Sequence, residues 1–201
     1  MWIKVCGMTT PEAVAAALDA GADAIGFVFA PSPRRVTPRE ASALAAPARG
    51  KILCVAVTRH PEQRQVDEIL AGFGPDVLQT DAGDLAQLRL PGQLELLPVW
   101  RDSDASRALP ARLLFESASS GCGRLCDWTA AAEAARRTQL VLAGGLDADN
   151  VAAAIAAVHP FGVDVSSGVE SSRGVKDPAA VARFVAAARG AKPVGAASGA
   201  G

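Results

Sequence analysis

Eight short apolar runs recur along the 201 residues, each followed by an alanine-rich amphipathic stretch. The runs are Ile3–Val5, Ala24–Phe29, Ile52–Val57, Val77–Gln79, Leu94–Trp100, Arg112–Phe115, Leu140–Ala143 and Gly162–Val165. Helical stretches are expected to begin near Pro11, Pro38, Pro61, Asp84, Ser103, Thr129, Asp147 and Asp177. Thr10-Pro11 and Asp177-Pro178 set a capping oxygen before a proline whose missing N–H goes unnoticed at the first helical position. Thr37-Pro38-Arg39-Glu40 adds the glutamate of a capping box. Strands that alternate with helices must pair in parallel, because a parallel neighbour is reached only by a crossover. Eight such units predict a single (β/α)8 TIM barrel with lean loops, shorter than the roughly 250 residues usual for that fold. An open doubly wound sheet is the alternative. Its dinucleotide-binding form is disfavoured, since no G-x-G-x-x-G follows the first run. The barrel is expected over residues 1–190, with the Gly/Ala-rich residues 191–201 a flexible tail.

Composition narrows the function classes. Half the residues are hydrophobic and a fifth charged, which excludes a disordered chain. The net charge is -1 and no basic block stands out, so binding to nucleic acid through phosphate charge is not expected. Lys4 breaks the first apolar run without the organisation of a signal peptide. The longest charge-free apolar stretch, Val151 to Val163, is too short to cross a bilayer. Four cysteines make no disulfide scaffold in a chain this long, so a reducing cytoplasm is expected. Cys122 and Cys126 lack a second pair or suitably spaced histidines, and no metal is expected. His60 and His159, each beside a proline, read as structural.

A barrel keeps its active site at the C-terminal ends of its strands. The eight runs end at Cys6-Gly7, Phe29 leading to Ser32-Pro33-Arg34-Arg35, Thr58, Gln79, Trp100-Arg101, Glu116, Gly144-Gly145, and Asp164-Val165-Ser166-Ser167-Gly168. A thiol, carboxylates, arginines and an amide thus converge on one mouth. Glycines in the last two loops let backbone N–H groups close on an anion, and barrels commonly hold phosphate after strands 7 and 8. Gly144, Gly145, Ser166, Ser167 and Gly168 are therefore candidate phosphate-binding residues.

Five blocks together resemble the phosphoribosylanthranilate isomerase family: Lys4-Val5-Cys6-Gly7-Met8-Thr9, Gly21 to Ala30, Ser32-Pro33-Arg34, Leu142-Ala143-Gly144-Gly145-Leu146, and Gly162 to Glu170. The resemblance runs from Ile3 to about Arg189. It implies a (β/α)8 barrel acting on N-(5′-phosphoribosyl)anthranilate, a phosphorylated aminosugar. The implied product is 1-(2-carboxyphenylamino)-1-deoxyribulose 5-phosphate, formed by an Amadori rearrangement in tryptophan biosynthesis without metal or organic cofactor. The family is mostly monomeric, and a monomer is expected.

The resemblance carries the general base to Cys6, whose pKa is then expected to fall from about 8.5, since only a thiolate accepts a proton. It carries the general acid to Glu116, which stands in Leu113-Leu114-Phe115-Glu116 where the family usually has aspartate. Asp127 is the competing carboxylate, although its place before a helical run suits an N-cap. Arg34 matches an arginine that meets substrate, and the anthranilate carboxylate is its suggested target. Gln79 and Asp164 match positions near the substrate's polar groups, or Asp164 orders the Ser166-Ser167 loop. Trp100 either walls the substrate's ring or packs in the core.

Three departures lie at the mouth. The family's Gln-Leu-His-Gly reads Gln79-Thr80-Asp81-Ala82, its Gly-Gly-x-Gly loop reads Ser120-Gly121-Cys122-Gly123, and its Val-Phe-Val-Asn reads Val55-Ala56-Val57-Thr58. Two other functions remain open on these residues. One is a related sugar isomerase of histidine biosynthesis, which uses paired aspartates. The other is a barrel that binds a phosphorylated aminosugar without turning it over.

Overall fold

A computed structural model describes residues 1–101, 108–116 and 126–191. The expected helix near Ser103, the loop at 117–125 with Cys122, and the tail from residue 192 lie outside the described residues. Eight parallel strands close into a barrel in sequence order: β1 Trp2–Cys6, β2 Ala24–Val28, β3 Leu53–Val57, β4 Val77–Asp81, β5 Glu95–Arg101, β6 Arg112–Glu116, β7 Gln139–Leu142 and β8 Gly162–Val165. The seam between first and last strands is shut by parallel pairing from Trp2↔Gly162 to Val5↔Val165.

Six helices are present among the described residues: α1 Pro11–Asp19, α2 Pro38–Ala45, α3 Gln63–Gly72, α4 Trp128–Ala135, α5 Val151–Val158 and α6 Pro178–Gly190. The caps form as the sequence leads one to expect. Thr10 accepts from the N–H of Ala13, and Thr37 with Glu40 makes the full capping box. Asp177 caps α6. The stretch from Asp84 differs from expectation, yielding only a 3-10 turn at Leu85–Gln87. Pro91 and Gly92 cut it short, and the Asp84 carboxylate bonds Thr80 and His60 instead of the turn's own N–H groups. Helix α5 starts at Val151 rather than Asp147, because the Asp147 Oδ1 accepts from Asp149 and Asn150 in a turn that precedes it. An unexpected hairpin, β9 Glu170–Ser172 with β10 Val175–Lys176, follows β8.

Strand side chains alternate between two faces. The outward set, with Ile3, Val5, Ile25, Phe27, Leu78, Trp100, Leu113, Leu140 and Val163, packs into the main core beneath the helices. The inward set fills the barrel with Val55, Val77, Leu97, Val99, Leu114 and Val141. That inner cluster is apolar below, while polar side chains occupy the strands' C-terminal ends. No described helix is long and apolar enough to cross a membrane.

Candidate active site

The same alternation that sends Ile3 and Val5 outward turns Lys4 and Cys6 inward. On the other strands it turns in Gln79 and Asp81, Arg101, Glu116 and Asp164. All of these but Lys4 line a cavity of about 290 Å³ at the barrel mouth, with Arg34, Gly144, Gly145, Ser166 and Ser167 also on its wall.

On the β1–β8 side the chemistry is that of a thiol beside a buried ion pair. Lys4 is fully buried, and its Nζ donates to the Asp164 Oδ1 at 2.8 Å. Burial works against the lysine's charge, but Asp164 and Cys6 outweigh it and raise its pKa above the ordinary value. Cys6 is 7% exposed. Burial pushes its thiol up, and the pull of Lys4 toward thiolate does not overcome this. The expected fall in the Cys6 pKa is thus corrected to a rise. Desolvation disfavours the charged form more than one neighbouring cation, itself shared with Asp164, favours it.

Across the mouth, Glu116 ends β6 opposite Arg101 of β5 in the strand register. The Arg101 guanidinium donates through Nη1 to Asp81 Oδ1, and its Nη2 lies 3.5 Å from Glu116 Oε1. Behind Asp81, the His60 N–H and Nδ1 bond the Asp84 carboxylate at 3.0 Å each, and His60 Nε2 lies 3.4 Å from Asp81 Oδ2. Among the described residues, His60, Asp81 and Asp84 form the one group able to offer three metal-ligand atoms close together. Its bonds already serve to clasp two loops. Gln79, buried, carries an Oε1 with no hydrogen-bond partner among the described residues.

The loops after β7 and β8 make the glycine-lined wall. Gly144 and Gly145 both adopt the left-handed conformation that glycine alone takes freely, at φ 91° and 65°. A Cβ on Gly168 would sit 2.0 Å from the carbonyl oxygen of Leu146, so the two loops touch there backbone to backbone. Ser166 Oγ donates to the Cys6 carbonyl at 3.1 Å, and Ser167 opens a 3-10 turn, Ser167–Val169. Arg34 meets Glu170 in a two-bond fork, Nε to Oε1 at 2.7 Å and Nη2 to Oε2 at 2.8 Å. Lys176 Nζ donates to Glu170 Oε1 at 2.8 Å and to the Ser166 carbonyl at 2.9 Å. Burial opposes charge on Glu170, but the bonds from Arg34, Lys176 and the Gly174 N–H prevail and hold its carboxyl at about 2.

Cys6, Glu116, Arg34, Gln79, Asp164, Gly144, Gly145, Ser166 and Ser167 therefore share one cavity, and Gly168 stands directly behind it. Trp100 does not join them. Strand parity turns it outward into the helix-facing core, leaving Arg101 to face the mouth. Asp127 caps α4, accepting from the N–H groups of Thr129 and Ala130. Lys4, Asp81, Arg101, Glu170 and Lys176 carry site contacts that the sequence reading did not assign. Counting alternate positions back from each strand end would have found the first three. Glu170 and Lys176 belong to a hairpin that had no local signal.

The comparisons agree over nearly all of the chain. The family model for N-(5′-phosphoribosyl)anthranilate isomerase matches residues 3–187. An N-(5′-phosphoribosyl)anthranilate isomerase of Mesorhizobium japonicum is 39% identical over 211 aligned positions, covering 94% of this chain and 96% of its own. The crystal structure of TrpF from Jonesia denitrificans superposes with a TM-score of 0.79 at 40% identity, over 95% of this chain and 98% of the other. A phosphoribosyl anthranilate isomerase in complex with reduced 1-(o-carboxyphenylamino)-1-deoxyribulose 5-phosphate gives 0.78 at 29% identity, over 94% and 99%.

Proposed function

The chain belongs to the N-(5′-phosphoribosyl)anthranilate isomerase family of tryptophan biosynthesis, and from that premise we propose that Cys6 and Glu116 carry its Amadori rearrangement. The substrate phosphate lies against Gly144, Gly145 and the Ser166–Gly168 turn, where glycine backbone can close on its oxygens. Arg34 takes the anthranilate carboxylate, with one edge of the guanidinium fixed by Glu170 so that the fork is held before substrate arrives. Gln79, whose Oε1 lacks a partner, accepts from a ribose hydroxyl. Asp164, anchored by Lys4, holds the sugar's polar groups beside Cys6.

Glu116 gives its proton to the ring oxygen, the C1′–O bond breaks, and the nitrogen lone pair forms the C1′–N iminium. Cys6 Sγ then removes the C2′ proton, and the electron pair flows to C1′ and nitrogen to give the enolamine. Tautomerisation to the C2′ ketone, with a proton added at C1′, completes an isomerisation without net gain or loss of atoms. The productive form pairs a thiolate with a protonated carboxyl, each group against its ordinary preference. The bell-shaped kcat/KM profile therefore has an acidic limb set by Glu116 and an alkaline limb set by Cys6.

The observation that carries this reading is the meeting of Cys6 and Glu116, from opposite sides of the barrel, in one glycine-walled cavity. The test is an assay on freshly prepared N-(5′-phosphoribosyl)anthranilate, following loss of its fluorescence. Wild type turns it over, Cys6→Ala and Glu116→Gln fall by at least about a hundredfold, and both variants stay folded. Full activity in either variant removes that residue from its role. A folded wild type without turnover makes the barrel a binder of phosphorylated aminosugars.

A further inference from the structure

Lys4 enters the chemistry above only as an anchor for Asp164, and that role leaves its position unexplained. It stands two residues before Cys6 on β1, and both side chains turn into the barrel. Gly26 of β2, the register partner of Cys6, makes room for them. A Cβ there would meet Cys6 Sγ at 2.9 Å and Lys4 Cε at 3.2 Å, so the sulfur and the lysine stem converge on one small space. Beyond that stem, Lys4 Nζ bonds Asp164 Oδ1 at 2.8 Å. Fully buried, Lys4 does not reach the cavity that Cys6 and Asp164 line. A buried ion pair often gives a fold no more than apolar residues of the same volume. An ammonium beneath a thiol that must accept a proton, in contrast, favours its charged form.

Resting on the reading of Cys6 as general base, we propose that Lys4 is a positioning residue whose ammonium, held behind the sulfur by Asp164, lets Cys6 stand as thiolate when the C2′ proton is taken. Burial sets the thiol high, and of the charged groups around it Lys4 pulls hardest the other way. Asp164 of β8 opposes that pull, and Lys176 of β10 adds to it. Arg34 faces Cys6 from the loop after β2 and is tied to Glu170 of β9. Across the mouth stand Asp81, Arg101 and Glu116, and Arg59 and Arg173 line the same cavity. Of all these groups only Lys4 and Asp164 are altered in the test.

The test reads Cys6 directly, by the pH dependence of its alkylation with iodoacetamide in the full chain. The modified Cys6 peptide is followed by mass, so that Cys54, Cys122 and Cys126 do not contribute. In Lys4→Met the midpoint for thiolate formation rises by at least about one pH unit. The alkaline limb of kcat/KM rises with it, and the plateau falls about tenfold, because thiolate and protonated Glu116 coexist less often. Asp164→Asn acts in the opposite sense: Lys4, no longer shared, turns to the sulfur and the midpoint falls. A lysine that serves only to pair Asp164 would lower stability or activity without moving the Cys6 midpoint. A midpoint unmoved or lowered in Lys4→Met overturns the proposal. Should Lys4→Met not fold, a midpoint that fails to fall in Asp164→Asn overturns it. A midpoint that moves as stated while the alkaline limb stays fixed marks instead the failure of Cys6 as base, and with it any catalytic purpose for Lys4.

Discussion

Glu170 shows how one side chain can set the acid limit of the protein. It joins Arg34 on the mouth wall to Lys176 of the hairpin, and its carboxyl is held at about 2 against an ordinary value of 4.5. A depressed carboxylate stabilises the fold above its unfolded value, and that contribution is lost as pH falls through the folded one. Stability should therefore decline from about pH 4.5 toward about pH 2. Glu170→Gln should flatten the decline across that window and cost about 3 kcal/mol at pH 7, because two buried cations lose their counter-ion. Urea midpoints at pH 7, 4 and 3 test this, and an unchanged pH slope would show the carboxylate to be idle. At this scale the sequence is only partly readable. Cys6 and Glu116 stand out because they end strands, and Arg34 because it falls in the family's motif in the loop after β2. Lys4 and Glu170 do not, because their partners lie 160 and 136 residues away and no local pattern announces a contact of that range.

Among the elements, the loops after β7 and β8 depend on each other. The contact at Gly168 admits no methyl group, since the carbonyl oxygen of Leu146 already occupies that space. Gly168→Ala should push the two loops apart and destabilise the fold by about 1–3 kcal/mol. It should raise KM far more than it lowers kcat, because the glycine wall is displaced while Cys6 and Glu116 stay. Equal losses in both parameters would place the disturbance at the reacting atoms instead. Element type was largely legible: prolines and capping threonines mark the starts of α1 and α2, and every apolar run became a strand. The 3-10 turn after β4 was not. An aspartate followed by leucines reads as a capped helix, and only the fold shows that its carboxylate is engaged by Thr80 and His60. Trp100 was ambiguous for a related reason, since one step of register along β5 decides between cavity and core.

Among the described residues, six helices line the outside of the barrel. Helices pack side by side from α4 through α5, α6, α1 and α2 to α3. Beyond α3 the described wall is completed by the short turn at Leu85–Gln87 and by Leu88, Leu90, Leu94 and Leu109 laid against the core. β5 opens on the exposed Glu95 and Leu96, whereas β1 to β3 have no exposed residue, so local opening should be easier at β5. Native-state hydrogen exchange should find β5 amides about tenfold faster than those of β1 to β3. Uniform protection around the barrel would refute this. The closing seam, in contrast, is well tied. Arg189 of α6 bonds the Gly21 carbonyl at 3.0 Å and Asp23 at 2.7 Å, and Asp23 also accepts from the Ile3 N–H at 2.7 Å. Across that same seam Lys4 meets Asp164. Until the last strand docks beside the first, Lys4 lacks its Asp164 partner and Cys6 lacks the burial that raises its thiol pKa. Ring closure and the gathering of thiol, ammonium and carboxylate at the mouth are thus a single event in the life of the chain. On the proposal that Cys6 is the base, an incompletely wound molecule has the thiol without the cavity it works in, and it stays idle until its circle is whole.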